Sequence, residues 1–461
     1  MHVCACPADT PIGFGLLFTC LLACLLTTRA RAQWDEQGLR HSSPNFAELL
    51  KADPSASDGF RAPRTGEIFR NPALASVLRD VAARGKPGFY TGRVADAVVN
   101  VLAQRGGLMT HSDLREHMDI ASNAPDPVSL RLTGFGLTDN GGTGIGALDL
   151  WEHPPNGQGI VALIAAGILQ ALEEKGRARF KREDYLTTAY LHAVIEALRM
   201  AFSDGNWYIA DPDVCPVPVK ELLSAAYLSS RADLFDPTKA QATFSHGRPR
   251  PGDEGPSPAL QSSDTVYFAV VDRDGNAVSF INSIYDNMGT RMVPKGCGFP
   301  IQSRARGFSL RRGHPNVVAA RKRPYHTIMP AMVTHAPKDG TPGKLHSVFG
   351  VMGGVMQPQG HVQVLLAQSV GGLDVQQALD APRVCVHWAG GWRVDVEDGI
   401  GDGVVKGLCD LGHDVRIVRG RARAVFGRGQ IIRRDLDPVE GRLVWSAGSD
   451  PRGDGAAYPA C

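Results

Sequence analysis

The chain has 461 residues, 43% hydrophobic and 21% charged, which is enough apolar material for a large core and the balance of an ordinary folded protein. A formal charge of +2 is too near neutral for a nucleic-acid surface, and the densest basic run, RRGHPNVVAARKRP at 311–324, reads as a solvated loop. The cysteines, at 4, 6, 20, 24, 215, 297, 385, 409 and 461, form no C-x-x-C pair and no Cys/His group at zinc spacing, so neither a disulfide scaffold nor a metal site is indicated.

In chain order, IGFGLLFTCLLACLL (12–26) has the length of a signal-peptide apolar region, and Ala30-Arg31-Ala32 after it is a candidate cleavage site, although the flanking arginines follow the apolar run instead of preceding it. Residues 1–32 therefore read as a leader or a misjoined start; the chain is secreted or membrane-anchored if the leader functions and cytoplasmic otherwise. From Gln33 to about Tyr208 the texture is mainly helical. NPALASVLRDVAARG (71–85) and TGRVADAVVNVLAQRGG (91–107) place apolar residues three and four apart and end on glycine. YLTTAYLHAVIEALRMAFSD (185–204) is a third amphipathic helix. Between them LTDNGGTGIGALDL (137–150) is glycine-rich without the spacing of a nucleotide loop, and Asn156 in PPNGQG is expected to cap the helix that follows. Residues 235–264, dense in Pro, Gly, Ser and charge, read as an exposed linker.

After the linker the texture turns to strands. VYFAVV and AVSFINSIY flank DRDGN, the signature of a hairpin; KLHSVFGVMGG is a strand before the helix QGHVQVLLAQSV, and strands recur near DVRIV and GRGQIIRR. The order predicts a layered α+β fold. No G-x-S-x-G, H-E-x-x-H or phosphate loop occurs, so chemistry must come from a device without a long motif. Thr265 opens the first strand where the linker stops. A threonine freed at a chain terminus can act as nucleophile with its own α-amino group as base, since an amine of pKa about 8 is neutral often enough to take the proton. Taken alone, a threonine at that place is also an ordinary β-former.

The segments DTVYFAVVDRDGNAVSFINSIY (264–285), RKRPYHTIMPAMV (321–333), FGVMGGVMQPQGHVQVLL (349–366), ALDAPR (378–383) and GSDPRGDG (448–455) together resemble the small subunit of the gamma-glutamyltranspeptidase family. Upstream, RAPRTGEIFRNPALA, HPPNGQGIVALIAAGILQ and HAVIEALRMAFSDGNWYIADP resemble its large subunit in the same order. The resemblance implies an N-terminal-nucleophile hydrolase, a four-layer αββα sandwich made as one chain. It implies self-cleavage between Asp264 and Thr265 into a large-subunit part (33–264, ending in the processing linker 235–264) and a small-subunit part (265–461), which remain together as a heterodimer. Thr265 falls at the family's nucleophile and Ser283 at the hydroxyl that hydrogen-bonds it. Gly353 and Gly354 match the pair whose N–H groups form the oxyanion hole. His326 and Thr327 lie where the substrate carboxylate is held, and Arg304 and Tyr285 fall in the substrate-binding set. The implied substrate is a small-molecule amide, a γ-glutamyl amide such as glutathione, with a glutaryl-type or other acyl amide as the alternative; no metal, organic cofactor or nucleic acid is implied.

The sequence also departs from the family. Gly307 stands where transpeptidases carry an acidic residue for the substrate α-amino group, Arg304 where an amide or acid is usual, and Tyr285 where a smaller polar residue is usual. Loss of that carboxylate puts recognition of free γ-glutamyl groups in question. HTIMP, MQPQGH and PPNGQG point to the acylase-like, lidless branch. Family members carry a long front segment, with sheet strands, before the point that matches Gln33. The sandwich is therefore expected to be incomplete at its front, as in an N-terminally truncated chain, and a remnant that neither processes nor catalyses is the second expectation.

Overall fold

A computed structural model describes residues 34–120, 122–137, 146–250, 264–337, 343–388, 391–437 and 439–459. The expected leader, the middle of the glycine-rich 137–150 stretch and the later part of the linker lie outside the described residues. The chain forms two compact units, one of residues up to Ala124 with Ile284–Arg304, the other of Pro125–Ser283 with Ala305 onward.

In the first unit helices form where apolar spacing and caps coincide. Helix α1 (Glu36–Ser42) starts on Asp35, whose carboxylate accepts the Gly38 N–H. Helix α2 (Pro72–Arg84) has Asn71 as its cap, proline in its first turn and Gly85 at φ 63° as its stop. Helix α3 (Gly92–Ala103) buries Val94, Ala95, Val98 and Val101, and α4 (His111–Asp119) opens with a capping box between Thr110 and Asp113.

The second unit runs β1 (Val128–Leu132), β2 (Leu148–Glu152), α5 (Gly159–Glu174), α6 (Thr188–Tyr208), α7 (Ala225–Ala232), β3 (Asp264–Val271) and β4 (Ala277–Tyr285, its last two residues in the first unit). It continues with β5 (Ala331–His335), β6 (Leu345–Met352), α8 (Met356–Ser369), α9 (Val375–Asp380), β7 (Val384–His387), β8 (Arg393–Glu397), α10 (Asp402–Asp410), β9 (Asp414–Val418), β10 (Arg428–Leu436) and β11 (Leu443–Ser449). Six strands make one antiparallel sheet in the order β11-β10-β6-β5-β2-β1, with β3-β4 as a separate hairpin and β9-β8-β7 as a third sheet.

Side-chain alternation along β6 sorts the layers. A methyl group at Gly350 would lie 2.4 Å from the Tyr267 ring of β3, so that face carries the hairpin. Val351 faces the other way, onto Gly360 of α8. Helices α5 and α6 are buried on all sides, as their apolar composition requires. The hairpin turn is as expected: Asp272 accepts the N–H groups of Asp274 and Asn276, and Gly275 takes φ 84°.

Two expectations are corrected. Strands β1 and β2 interrupt the front half that reads as mainly helical, and they form because β2 pairs with β5, a strand nearly two hundred residues downstream that local periodicity does not reveal. The first half of the linker is not an exposed tether. Its backbone is pinned to α6 and α7: Gln241 N–H donates to Glu196, Gly247 N–H to Asp204, and Arg199 and Arg231 donate to the carbonyls of Gln241 and Ser245. The segment satisfies charges that α6 would otherwise bury alone. Cys215, Cys297, Cys385 and Cys409 are free thiols, and no helix among the described residues is long and apolar enough to cross a membrane.

Candidate active site

Thr265 is the second residue of β3, 2% exposed, and its hydroxyl has no hydrogen-bond partner among the described residues. Two residues on, Tyr267 seats the strand. Its ring fills the space left by Gly350, and its hydroxyl shares a 2.9 Å hydrogen bond with Ser279 Oγ of β4. Burial pushes the Tyr267 phenol well above its ordinary range, so it stays neutral and acts as a fixed spacer.

Strand β6 delivers the glycine pair. Gly353 has φ 141° and Gly354 φ 56°, both in the region that side chains avoid, and a methyl on Gly353 would lie 2.9 Å from Gly427 Cα. The carbonyls of the pair enter the first turn of α8, accepting from Met356 N–H at 3.0 Å and Gln357 N–H at 3.2 Å. The two glycine N–H groups donate to none of the described residues. Two successive unpaired N–H groups at a positive-φ turn make a concavity suited to negative charge.

Gln158, fully buried at the N-cap position of α5, ties the next segment to this turn. Its Nε2 donates to Gly354 O at 2.8 Å and Thr327 O at 2.7 Å, while its Oε1 accepts from the Tyr325 hydroxyl at 3.0 Å. His326 N–H donates to Asn156 O and Gln158 N–H to His326 O, so residues 324–327 lie along 156–158 like a short strand. His326 and Thr327 are thereby brought to the glycine pair. Asn156 does not cap α5: its side-chain amide donates to Pro324 O at 2.6 Å, because the helix begins only after Gln158. Sequence reasoning missed Gln158; its one trace was the PPNGQG stretch.

Ser283 lies on the same face of β4 as Ser279 and Ile281, but it makes no hydrogen bond to the Thr265 hydroxyl in this structure. Arg304 and Tyr285 belong to the other unit and meet there, the guanidinium 4.6 Å from the ring centroid. Burial pulls the Arg304 guanidinium down to about 10, and Tyr285 holds φ 76°, unusual for so large a residue. At Gly307 a methyl group would lie 2.5 Å from the Tyr325 carbonyl oxygen, so this backbone leaves no room for a side chain.

A second polar group, unforeseen in the sequence, lies between α6 and the turn before β9. His192, Glu196 and His413 bring donor atoms within 4.8 Å of one another. The His192 ring bonds His413 and Asp236 O, each at 2.8 Å, and Glu196 accepts from Arg199 at 2.5 Å and Gln241 N–H at 3.1 Å. Each of the three side chains is already bonded within the protein, and Arg199 balances the charge of Glu196, as a structural cluster requires.

The family profile described as Gamma-glutamyltranspeptidase matches residues 27–460. The chain is 32% identical over 427 residues to the glutathione hydrolase-like YwrD proenzyme of Bacillus subtilis (strain 168), covering 91% of this chain and 72% of that protein. It is 31% identical over 424 residues to the oxamate amidohydrolase proenzyme of Klebsiella pneumoniae subsp. pneumoniae, covering 90% and 71%. Its fold is similar to the crystal structure of cephalosporin acylase from Bacillus halodurans, with a TM-score of 0.73 and 34% identity over 94% of this chain and 70% of that one.

Proposed function

Because the chain belongs to the gamma-glutamyltranspeptidase family and has the αββα fold of an N-terminal-nucleophile amidohydrolase, we propose that it cuts its own Asp264–Thr265 bond and then uses Thr265 as nucleophile on small acyl amides. One observation carries the reading. The Thr265 hydroxyl is buried with no partner among the described residues, on a strand packed against β6, the strand followed by two glycines whose N–H groups donate to none of the described residues. A nucleophile and an oxyanion site are both left unsatisfied on neighbouring strands, which a bound acyl group would complete.

In maturation the Thr265 oxygen attacks the Asp264 carbonyl, the acyl group moves from nitrogen to oxygen, and water hydrolyses the ester to leave an Asp264 carboxylate and a free Thr265 amine. In turnover that amine takes the hydroxyl proton as the oxygen attacks the substrate carbonyl. Gly353 and Gly354 donate to the oxyanion, the tetrahedral adduct expels the amine product with the proton returned by the ammonium, and water or an acceptor amine releases the acyl group. Ser283 would orient the nucleophile once the new terminus settles, and His326 and Thr327 would contact the acyl group. The two fragments stay together as one folded heterodimer.

A γ-glutamyl amide such as glutathione is the first substrate class; its acyl carboxylate fits the His326–Thr327 segment. One observation favours a second, glutaryl-type amides: no carboxylate fits at Gly307 to bind a substrate ammonium. The test is denaturing electrophoresis and hydrolysis of L-γ-glutamyl-p-nitroanilide and glutaryl-p-nitroanilide. Wild type should give fragments of 264 and 197 residues (461 minus 264), before any leader removal, with Thr265 heading the second. Thr265→Ala should stay one band and lose activity by roughly 10⁴-fold or more. A wild-type chain that remains intact defeats the maturation step.

A further inference from the structure

Outside the residues named so far, the described part of the second unit holds a fully buried acid–imidazole contact. Glu152, at the end of β2, and His361, in α8, are both 0% exposed, and His361 Nδ1 lies 2.6 Å from Glu152 Oε1. The other ring nitrogen, Nε2, accepts the backbone N–H of Val351 at 3.1 Å. An Nε2 that accepts carries no proton, so the proton sits on Nδ1 and points at Glu152.

Val351 is two residues before the glycine pair, and the register explains why it needs a side-chain acceptor. Pairing of β5 with β6 ends at Ala331 opposite Phe349, whereas on the other side Val351 still pairs with Gly429 of β10. Its N–H faces the side where β5 has ended, and His361 takes the place of the missing strand. The side chain is clamped as well. A methyl at Gly360 would stand 2.6 Å from Val351 Cγ1 and one at Gly427 2.8 Å from it, so two glycines admit α8 and the chain before β10 to close contact around this residue. Gly427 is also the residue against which Gly353 packs.

We propose that Glu152 and His361 are positioning residues for acyl transfer: Glu152 fixes the ring, the ring fixes the Val351 N–H, and the Gly353 and Gly354 N–H groups are placed from Val351. The inference rests on the amidohydrolase reading above. Burial pushes the Glu152 carboxyl above its usual range, and its second oxygen has no partner among the described residues, so the pair is a poor source of stability. An apolar pair of equal volume would leave the Val351 N–H without an acceptor. Oxyanion donors tolerate little displacement: an error near 1 Å set up from a distance costs on the order of 100-fold in rate.

Three full-length variants test this by turnover of L-γ-glutamyl-p-nitroanilide and by hydrogen–deuterium exchange. His361→Leu removes the acceptor and should lower kcat about 10- to 100-fold with KM within about twofold, while amides at 350–356 exchange about tenfold faster and α5 exchanges as in wild type. His361→Gln, whose oxygen can accept the same N–H, should restore both readouts. Glu152→Gln keeps the shape and should lower kcat about threefold. Wild-type exchange at 350–356 in His361→Leu overturns the proposal, as does faster exchange with unchanged kcat. If His361→Leu does not fold, Glu152→Gln decides: wild-type exchange and kcat there overturn the proposal. If wild type hydrolyses no p-nitroanilide, the γ-glutamyl amidohydrolase reading fails, and the exchange comparison still decides whether the pair holds the turn.

Discussion

Behind β8 and β10, Arg383, Glu397, Asp450 and Arg452 are each no more than 2% exposed, and every charge faces its opposite. Arg452 donates to Glu397 at 2.7 Å and to Asp450 at 3.1 Å, and Arg383 reaches Asp450 at 2.8 Å. At the head of β3 and the start of α8 the pattern inverts. The Thr265 hydroxyl and both amide atoms of Gln357 are buried without partners among the described residues, although Gln359, one residue beyond Pro358, has its oxygen on Val386 N–H and its nitrogen on the Val355 and Val386 carbonyls. Matched burial holds the fold together; unmatched burial costs stability and persists where a ligand completes it.

Substitutions separate the two regions. The largest effect is expected for Arg452→Met, which leaves Glu397 and Asp450 short of a partner and should cost about 3–5 kcal/mol, read as a large fall in Tm. Gln357→Leu should do the opposite: removal of an unmatched amide is expected to leave stability unchanged or raise it by up to about 1–3 kcal/mol, read as an unchanged or higher Tm. A clear fall in Tm there would place Gln357 with the matched group and break the contrast. The smallest effect concerns pH. Burial alone would raise the Asp395 carboxyl, but His387 and Arg416 outweigh it and hold it at about 2. With a folded pKa below the unfolded value of about 3.9, its contribution is complete above pH 4 and is lost as pH falls toward 2. Asp395→Asn should lower the urea midpoint at pH 7 and flatten its decline across that window.

Much of this was legible because it is local. The glycine stop of α2, the DRDGN turn, the strand that opens at Thr265 and the glycine pair all announce themselves within a few residues. The roles expected of Ser283, His326 and Thr327 came from the family resemblance alone, since no period or spacing encodes them. What escaped is long-range. Gln158 reaches Gly354 across 196 residues and Glu152 reaches His361 across 209, so neither contact leaves a local pattern. The polar stretch before residue 250 looked like free linker because composition registers charge, not the buried acids on α6 that its backbone satisfies. Asn156 had the chemistry of a cap, yet the chain turns two residues later than that role requires.

The crowding of Gly307 against the Tyr325 oxygen reaches into protein engineering. A designer who wants amino-acid selectivity cannot exchange one letter at 307, since any new atom meets main chain and not a pliable neighbour. The route between 305 and 325 would have to be redrawn first. Stepwise drift faces the same obstacle, so the absence of a side chain at 307 is locked in by the path of the chain.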